Sequence, residues 1–322
     1  MKYLLGCLAL CSCLFSYAQY SFSPEYDISK KGSDKFDGTE IPKFKKTTTV
    51  FIYRPDQESQ LKEFENILKE NWTITPYLLA PYSEIGKYRF KLQYSLFDTR
   101  FFVKTTKNFR KDGTVSTYVT TRIFYGLSMN VMKKGKQEEL FLCRIMLNPN
   151  MEAYGYSQTR TAALFDDYLH TQAVFLNGGM GYLKNYISYM NKRLQQEQPY
   201  MSLFETLENK ELMMPLKTQV LYVPDNFAYK MSPFTGKEEP QSLEEVMRKY
   251  PGKWERVSNQ KINEMILNGE DFYYAIHIRN SGDKYMNVIH SKTGNPVFKS
   301  YHPMSYNVKD SDLKEIGAML KK

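Results

Sequence analysis

Apolar positions recur along the chain with two different periods. Thr47–Tyr53 is a β-rich apolar run, and after it Leu61, Phe64, Ile67 and Leu68 recur at helical spacing, with Asp56 placed to cap that helix. Ile74–Leu79 and Tyr88–Leu96 read as the next strands. Phe101–Thr106, Thr114–Met132 and Glu139–Leu147 alternate as strands do. Lys111-Asp112-Gly113 and Lys134-Gly135-Lys136 stand between them as turns, which predicts antiparallel hairpins. Residues 160–212 return to helical spacing. Leu164, Phe165, Tyr168, Leu169 and Leu176 form one stripe, Asn177-Gly178-Gly179-Met180-Gly181 breaks it, and Leu183, Ile187, Met190 and Leu194 form the next. A short capped helix with Ser202 and Glu205 is expected after them. The chain closes with strands over 272–278, 284–290 and 296–301 and a helix near 310–321.

One motif occurs twice. Thr49-Val50-Phe51-Ile52-Tyr53-Arg54-Pro55-Asp56 aligns without gaps on Thr218-Gln219-Val220-Leu221-Tyr222-Val223-Pro224-Asp225, with Thr, Tyr, Pro and Asp identical. In the second copy a loop through Ser232–Gly236 precedes the helix. That helix opens on a capping box of Ser242 and Glu245 and carries Leu243, Val246, Met247 and Tyr250 as its apolar face. Each helix is followed by one of the two tryptophans, Trp72 or Trp254. The shared motif and matching order predict a structural duplication. The expected fold is α+β (or α/β), with mixed β-sheets, packed helices and two pseudo-repeated strand–helix–strand units joined by a helical segment. The expected division is a signal peptide over 1–18, an irregular arm over 19–45 punctuated by Pro24, Gly32, Gly38 and Pro42, a first α/β unit with hairpins over 46–157, a helical connector over 158–214, and a second α/β unit with a β-meander and C-terminal helix over 215–322.

The first stretch alters the chemistry available to the rest. MKYLLGCLALCSCLFSYA has one charge, an apolar centre and small residues at its end, the pattern of a secretory leader cleaved between Ala18 and Gln19. Leu10-Cys11-Ser12-Cys13 loosely matches a lipobox, so a lipoprotein anchored at Cys13 is the minor alternative to a free periplasmic or secreted protein. Cys7, Cys11 and Cys13 leave with the leader. Cys143 then stands alone in an apolar run, which excludes an internal disulfide or a thiolate metal cluster in the mature chain. No later apolar run reaches the ~20 residues of a bilayer-spanning helix, so no transmembrane span is expected in the mature chain.

With 42% hydrophobic, 15% aromatic and 25% charged residues over 322 positions, the chain can bury a sizeable core and is neither disordered nor fibrous. Its net charge of +9 falls by one when Lys2 leaves with the leader. The basic residues are scattered, and the densest run is the short Lys43-Phe44-Lys45-Lys46, so a solvated basic surface is expected and no nucleic acid. The 26 tyrosines suit half-buried sheets as well as they suit stacking on sugars or partners.

Candidate chemistry is sparse. Asp166, Asp167 and His170 fall on the first helical stripe, and Asp166 and His170, at i and i+4, share a face. That pair could act as an acid–base couple or as two metal ligands, although a helix-packing role needs no further residue. Asp166 and His170 are the catalytic candidates. His277, His290 and His302 gather near the C-terminus. With a turn at Ser281-Gly282, His277 faces Met286, and His290 lies roughly 13 Å further along at ~3.3 Å per residue, too far to share one zinc. A solvent-facing or helix-covered His277 is therefore expected. Ser281-Gly282-Asp283-Lys284 and Lys292-Thr293-Gly294 are explained as hairpin turns. Asn177–Gly181, with Lys184 just inside the next helix, could cradle an anion but follows a helix instead of a strand, which favours a helix break or a tight backbone contact. No metal and no cofactor are expected.

The leader ending Ser16-Tyr17-Ala18 before Gln19, the Lys- and Tyr-rich composition and the segment Gly181-Tyr182-Leu183-Lys184-Asn185-Tyr186 resemble uncharacterised exported proteins of Bacteroidota. The resemblance covers short patches and implies a compartment, with no activity and no catalytic residues. The expectation is an exported, non-enzymatic cell-envelope protein acting as a binding or assembly module, with an envelope protein or polysaccharide as partner. The alternative, less favoured, is an exported hydrolase or carbohydrate-active enzyme with a carboxylate-based site.

Overall fold

The computed structural model describes residues 20–21, 38–109, 112–196, 207–208, 210–232, 237–279, 283–303 and 305–321. The leader, the helix expected at Ser202 and Glu205, most of the Ser232–Gly236 loop, Lys111, and Ser281 with Gly282 lie outside these residues.

The first sheet is built around β1 (Thr48–Tyr53), which runs parallel to β2 (Tyr77–Pro81) on one side and to the start of β3 (Tyr94–Phe109) on the other. β4 (Val115–Lys133) and β5 (Lys136–Met146) then add antiparallel, and Tyr20–Ser21 pairs with Ile145 and Arg144. The β4–β5 turn is two residues long, with Lys134 at φ 51° and Gly135 at φ 76°. Two left-handed residues give the turn whose twist matches the flanking strands, and a glycine takes the second at no steric cost.

The second sheet repeats this plan. β6 (Val220–Pro224) runs parallel to β7 (Lys253–Val257) and to β8 (Tyr273–Arg279). β9 (Asp283–His290) and β10 (Pro296–Pro303) add antiparallel, and Leu207–Glu208 pairs with the last of them. The strand orders are β2-β1-β3-β4-β5 and β7-β6-β8-β9-β10, each closed by a two-residue strand that precedes its unit in the chain. The predicted duplication is thus present in the topology. In both copies Pro-Asp marks the exit of the central strand into a 3-10 turn, Pro55–Gln60 in one and Asp225–Ala228 in the other.

Helices among the described residues include α1 (Leu61–Asn71), α2 (Met151–Thr159), α3 (Ala162–Thr171), α4 (Met180–Gln195), α5 (Leu243–Met247), α6 (Asn259–Leu267) and α7 (Asp310–Lys321). α4 is buried nearly all round, as a helix must be when it has neighbours on every side. It packs against α1 of the first unit and α6 of the second. One apolar core runs from Phe51, Phe64, Trp72 and Phe97 through Leu183, Ile187 and Met190 to Tyr274, Ile276 and Ile278. A separate core lies where α5 and α7 cover the other face of the second sheet. The corresponding face of the first sheet carries a small cluster of Val50, Ile52, Ala80 and Leu96, packed against Tyr82, Ile85, Tyr88 and Tyr94.

The α4–α6 contact explains the glycine-rich break. Gly179 is the N-cap of α4, and the Gly181 N–H donates to Asn263 Oδ1 at 2.6 Å. A methyl on Gly181 would sit 2.3 Å from the Asn263 carbonyl oxygen. The segment is therefore a tight backbone contact capped by Asn263, and no anion cradle. Lys184 in turn points its ammonium at the Ile266 and Leu267 carbonyls that end α6. Gly181→Ala is expected to lower stability by about 1–3 kcal/mol through overpacking. A urea midpoint that does not move would show that the two helices can separate at no loss.

Several local expectations are corrected. Asp56 does not cap α1: its carboxylate makes a two-point pair with Arg54, and α1 starts at Leu61 behind Gln60 with no side-chain cap. Tyr88–Gln93 is not a strand. A 3-10 turn over Tyr82–Lys87 and Phe90 at φ 65° take the chain out of extended geometry, so an alternation of aromatic and cationic residues is carried by a loop. The end of the arm read as irregular forms a helical turn, Glu40–Phe44, because Phe44 is fully buried edge-on to Trp72. Helical structure begins at Met151, ahead of residue 158, and the two tryptophans are not equivalent: Trp72 caps α1, whereas Trp254 lies within β7.

Candidate functional site

In a sheet with parallel strands, side chains at the carboxyl ends are the ones most open to a ligand. At that edge of the first sheet, β1 is followed by Arg54, β2 by Tyr82, and β3 passes its last pairing with β1 at Phe97 into Asp98 and Arg100. α3 lies over this edge and brings the two sequence candidates, Asp166 and His170, to it.

The Tyr82 ring stacks on the His170 imidazole with centroids 3.9 Å apart and planes 9° from parallel. Its hydroxyl donates to Asp166 Oδ2 at 3.2 Å. Burial, with the Asp166 carboxylate beside it, pushes the Tyr82 hydroxyl up to about 12, so it remains a donor at neutral pH. His170 Nδ1 lies 2.8 Å from the Asp166 carbonyl oxygen and 3.7 Å from Asp166 Oδ1. The carbonyl can only accept, so the proton sits on Nδ1 and Nε2 carries the lone pair. Nε2 is buried and has no hydrogen-bond partner among the described residues. Burial lowers the His170 pKa against the opposing pull of Asp98 and Asp166, which keeps the ring neutral.

Beneath them Asp98 is fully buried. It takes the Arg100 Nε at 2.7 Å and lies 3.5 Å from an Arg89 guanidinium nitrogen. Arg100 also donates to Glu139 Oε1 at 2.7 Å, which receives the Ser128 hydroxyl at 2.8 Å. Burial works to lower Arg100, but Asp98 and Glu139 outweigh it and hold the guanidinium charged. The carboxylates of Asp98 and Glu139 are thus both paired with Arg100, and Asp98 lies beside Arg89 of the preceding loop as well.

A cleft of about 360 Å³ opens beside this cluster. Phe101, Phe102 and Phe141 supply its aromatic wall, and Arg100 and Asp166 are its charged lining residues. A second depression, of about 390 Å³, lies at the amino-terminal ends of β6 and β7, where Lys253, Glu270 and Asp271 meet and His290 pairs with Asp271 at 2.6 Å.

The three C-terminal histidines are dispersed. His277 faces Met286 and His290 faces Tyr273, as the register argument expected. His277 is buried beneath the 3-10 turn of Phe227, with its two ring nitrogens 3.1 and 3.0 Å from the Phe227 and Tyr306 carbonyls. His302 lies 3.5 Å from Asp312 and 3.6 Å from Glu315. Among the described residues no three His, Cys, Asp or Glu side chains converge to hold a metal. Cys143 is buried, and its thiol is pushed well up by that burial, so it is an inert core residue.

The spacing of Asp166 and His170 was visible in the sequence, whereas Tyr82, Asp98, Arg100 and Glu139 were not singled out. Asp98 and Arg100 do carry a local signal: at i and i+2 on one strand they point to the same face. Tyr82 carries none, since it meets Asp166 across 84 residues of chain. Comparison with protein families found no family that matches the chain, and comparisons with curated proteins and with solved structures found no match either.

Proposed function

We propose that this protein is an exported, non-enzymatic module of the bacterial cell envelope, which assembles with a partner protein by strand addition. The observation that carries the reading is a β-ribbon. β1 pairs with β3 only as far as Phe97, and β5 pairs with β4 only from Phe124 onward, yet β3 and β4 stay paired out to Phe109 and Val115. Beyond Phe101 and Ile123 the ribbon has no further strand on either edge among the described residues. Open edges offer backbone donors and acceptors to an extended segment, which is how strand addition gains affinity.

Val103, Phe109 and Val115 are exposed on the ribbon, Phe109 at 78%. The segment carries Lys104, Lys107, Arg110 and Lys111 against Asp112, so its complement is acidic. The ribbon's base is anchored. The Arg122–Asp283 ion pair, 2.5 Å long and buried, ties it to the second unit, and Phe101 meets Phe165 edge-on at 4.9 Å. No helix among the described residues is long and apolar enough to cross a membrane.

Two measurements test the reading. Intact mass and fractionation from the native cells should give a chain beginning at Gln19 in the soluble fraction; an acylated Cys13 in the membrane fraction would replace that localisation with an anchored one. Photo-crosslinkers placed at Phe109 and Val115 in cells should give one discrete adduct, attached through an acidic segment and lost in Lys107→Glu. The same adduct from Leu78, exposed on the opposite edge of the first sheet, or no adduct from the ribbon, would overturn the assembly role.

A further inference from the structure

We infer that the cleft beside α3 is a binding site for a small organic cation, an aryl or alkyl primary amine whose ammonium pairs with Asp166. The inference does not depend on the ribbon's partner. Its first support is the state of the Asp166 carboxylate. Oδ2 accepts from the Tyr82 hydroxyl, whereas Oδ1 is 3.7 Å from His170 Nδ1, whose proton is already committed to the Asp166 carbonyl. One carboxylate oxygen is therefore unengaged at the wall of the cleft, on a side chain 27% exposed. An acceptor in that position calls for a donor, and an ionised acceptor calls most strongly for a charged one.

The second support is charge balance. Arg100 is the cation among the cleft's lining residues, and its guanidinium bridges Asp98 and Glu139. The neighbouring His170 is neutral because burial lowers its pKa, so it adds no positive charge against a ligand. Asp166 is the carboxylate at the opening with no cation hydrogen-bonded to it among the described residues, although Arg100 lies within electrostatic reach. An anionic ligand would meet a carboxylate there, while the guanidinium that could receive it is already engaged.

The third support is the wall. Phe101, Phe102 and Phe141 line the cleft, and aromatic faces attract cations; Arg144 already covers a face of Phe141 at 4.5 Å, which leaves Phe101 and Phe102 as the rings for a ligand. Val103 and Ala162 complete an apolar lining that offers a sugar few hydrogen-bond partners, whereas it suits a ligand with one charged end and a hydrocarbon body. A volume of about 360 Å³ accommodates a single-ring amine. The Tyr82–His170 stack and the Tyr82 hydrogen bond hold the carboxylate in place before any ligand arrives, which lowers the ordering cost of binding.

The test uses the mature chain from Gln19 and three probes of one shape: benzylamine, benzyl alcohol and benzoate. Titration calorimetry at neutral pH should show benzylammonium binding about tenfold or more tighter than either of the others. Asp166→Asn should weaken it by about tenfold or more. Ala162→Phe, at an exposed position on the cleft wall, should abolish binding while leaving the melting curve in place. If Asp166→Asn fails to fold, the Ala162→Phe variant and the probe ranking still decide. Absence of benzylammonium binding, equal affinity for benzyl alcohol, a preference for benzoate, or full affinity in folded Asp166→Asn would each overturn the assignment.

Discussion

Replacing Asp312 by alanine is expected to destabilise the protein by about 3–5 kcal/mol, because it leaves a buried ammonium without its counter-ion. Lys284, on β9, and Asp312, in the first turn of α7, are both almost fully buried, and the Lys284 ammonium donates to Asp312 Oδ2. Its second acceptor is the Asn307 carbonyl at 2.8 Å. Asp312 also receives the Lys309 N–H at 2.7 Å and lies 3.5 Å from His302. Burial lowers the Lys284 pKa, and Asp312 opposes that shift. With the carboxylate gone, the chain must either bury an unpaired charge or release a proton against its ordinary pKa. Both routes weaken the attachment of α7 to the second sheet. Denaturant unfolding at pH 7.5 reads the loss, and the double variant Lys284→Met/Asp312→Leu should regain most of it, since two apolar groups need no pairing. A loss in the single variant below about 1 kcal/mol, the worth of an exposed pair, would mean that water reaches the pair in solution.

Acidification should destabilise the fold through its buried histidines. His277 is held well below the ordinary histidine range, first by burial and then by the Arg279 and Lys284 cations, even though the two carbonyls facing its ring nitrogens favour the protonated form. His170 is lowered as well, again chiefly by burial. In the unfolded chain an imidazole titrates near ~6.5. Below that value the unfolded state binds a proton that the native state refuses, so the unfolded state gains as the pH falls. Stability is fully present above about pH 6.5 and declines below it, by up to about 1.4 kcal/mol per pH unit for each such ring, until the folded-state pKa is reached. From pH 6.5 to 5.5 the unfolding free energy should therefore drop by more than one ring alone accounts for. His277→Asn should cost about 1–3 kcal/mol at pH 7.5 through its lost partner, and should flatten the pH dependence by one proton. An unchanged slope in that variant, or a stability that rises on acidification, would show that His277 is already protonated in the native protein.

The elements that could be read from the residues are those set by near neighbours. The β4–β5 turn needs two left-handed residues between alternating runs, and Lys134-Gly135 announces it. The strands β8, β9 and β10 and the helix α7 fall close to their expected positions because period and turn chemistry act within a few residues. The duplication was visible because Pro-Asp ends the central strand in both units, and such an exit is again a local steric event. Tyr88–Gln93 was misread for the converse reason. Its alternation is that of a strand, but Phe90 sits in a left-handed conformation with its ring exposed, and the contact with β1 begins where the Thr48 N–H donates to the Gln93 carbonyl.

What the chain determined by itself is the strands β1, β8, β9 and β10, the helices α1, α4 and α7, the repeated plan and the shared face of Asp166 and His170, whereas α6 and β7 were not legible in it. Only the tertiary structure decided what that pair amounts to. Tyr82 comes from the end of β2 to stack on His170 and bind Asp166. Arg100 and Glu139 meet from β3 and β5, and Arg122 crosses from the ribbon to Asp283 of the second unit. The physical reason is one of range. Helical and strand periods are written by sterics between residues a few positions apart, whereas whether a charge is compensated depends on side chains that the fold alone brings within a few ångströms.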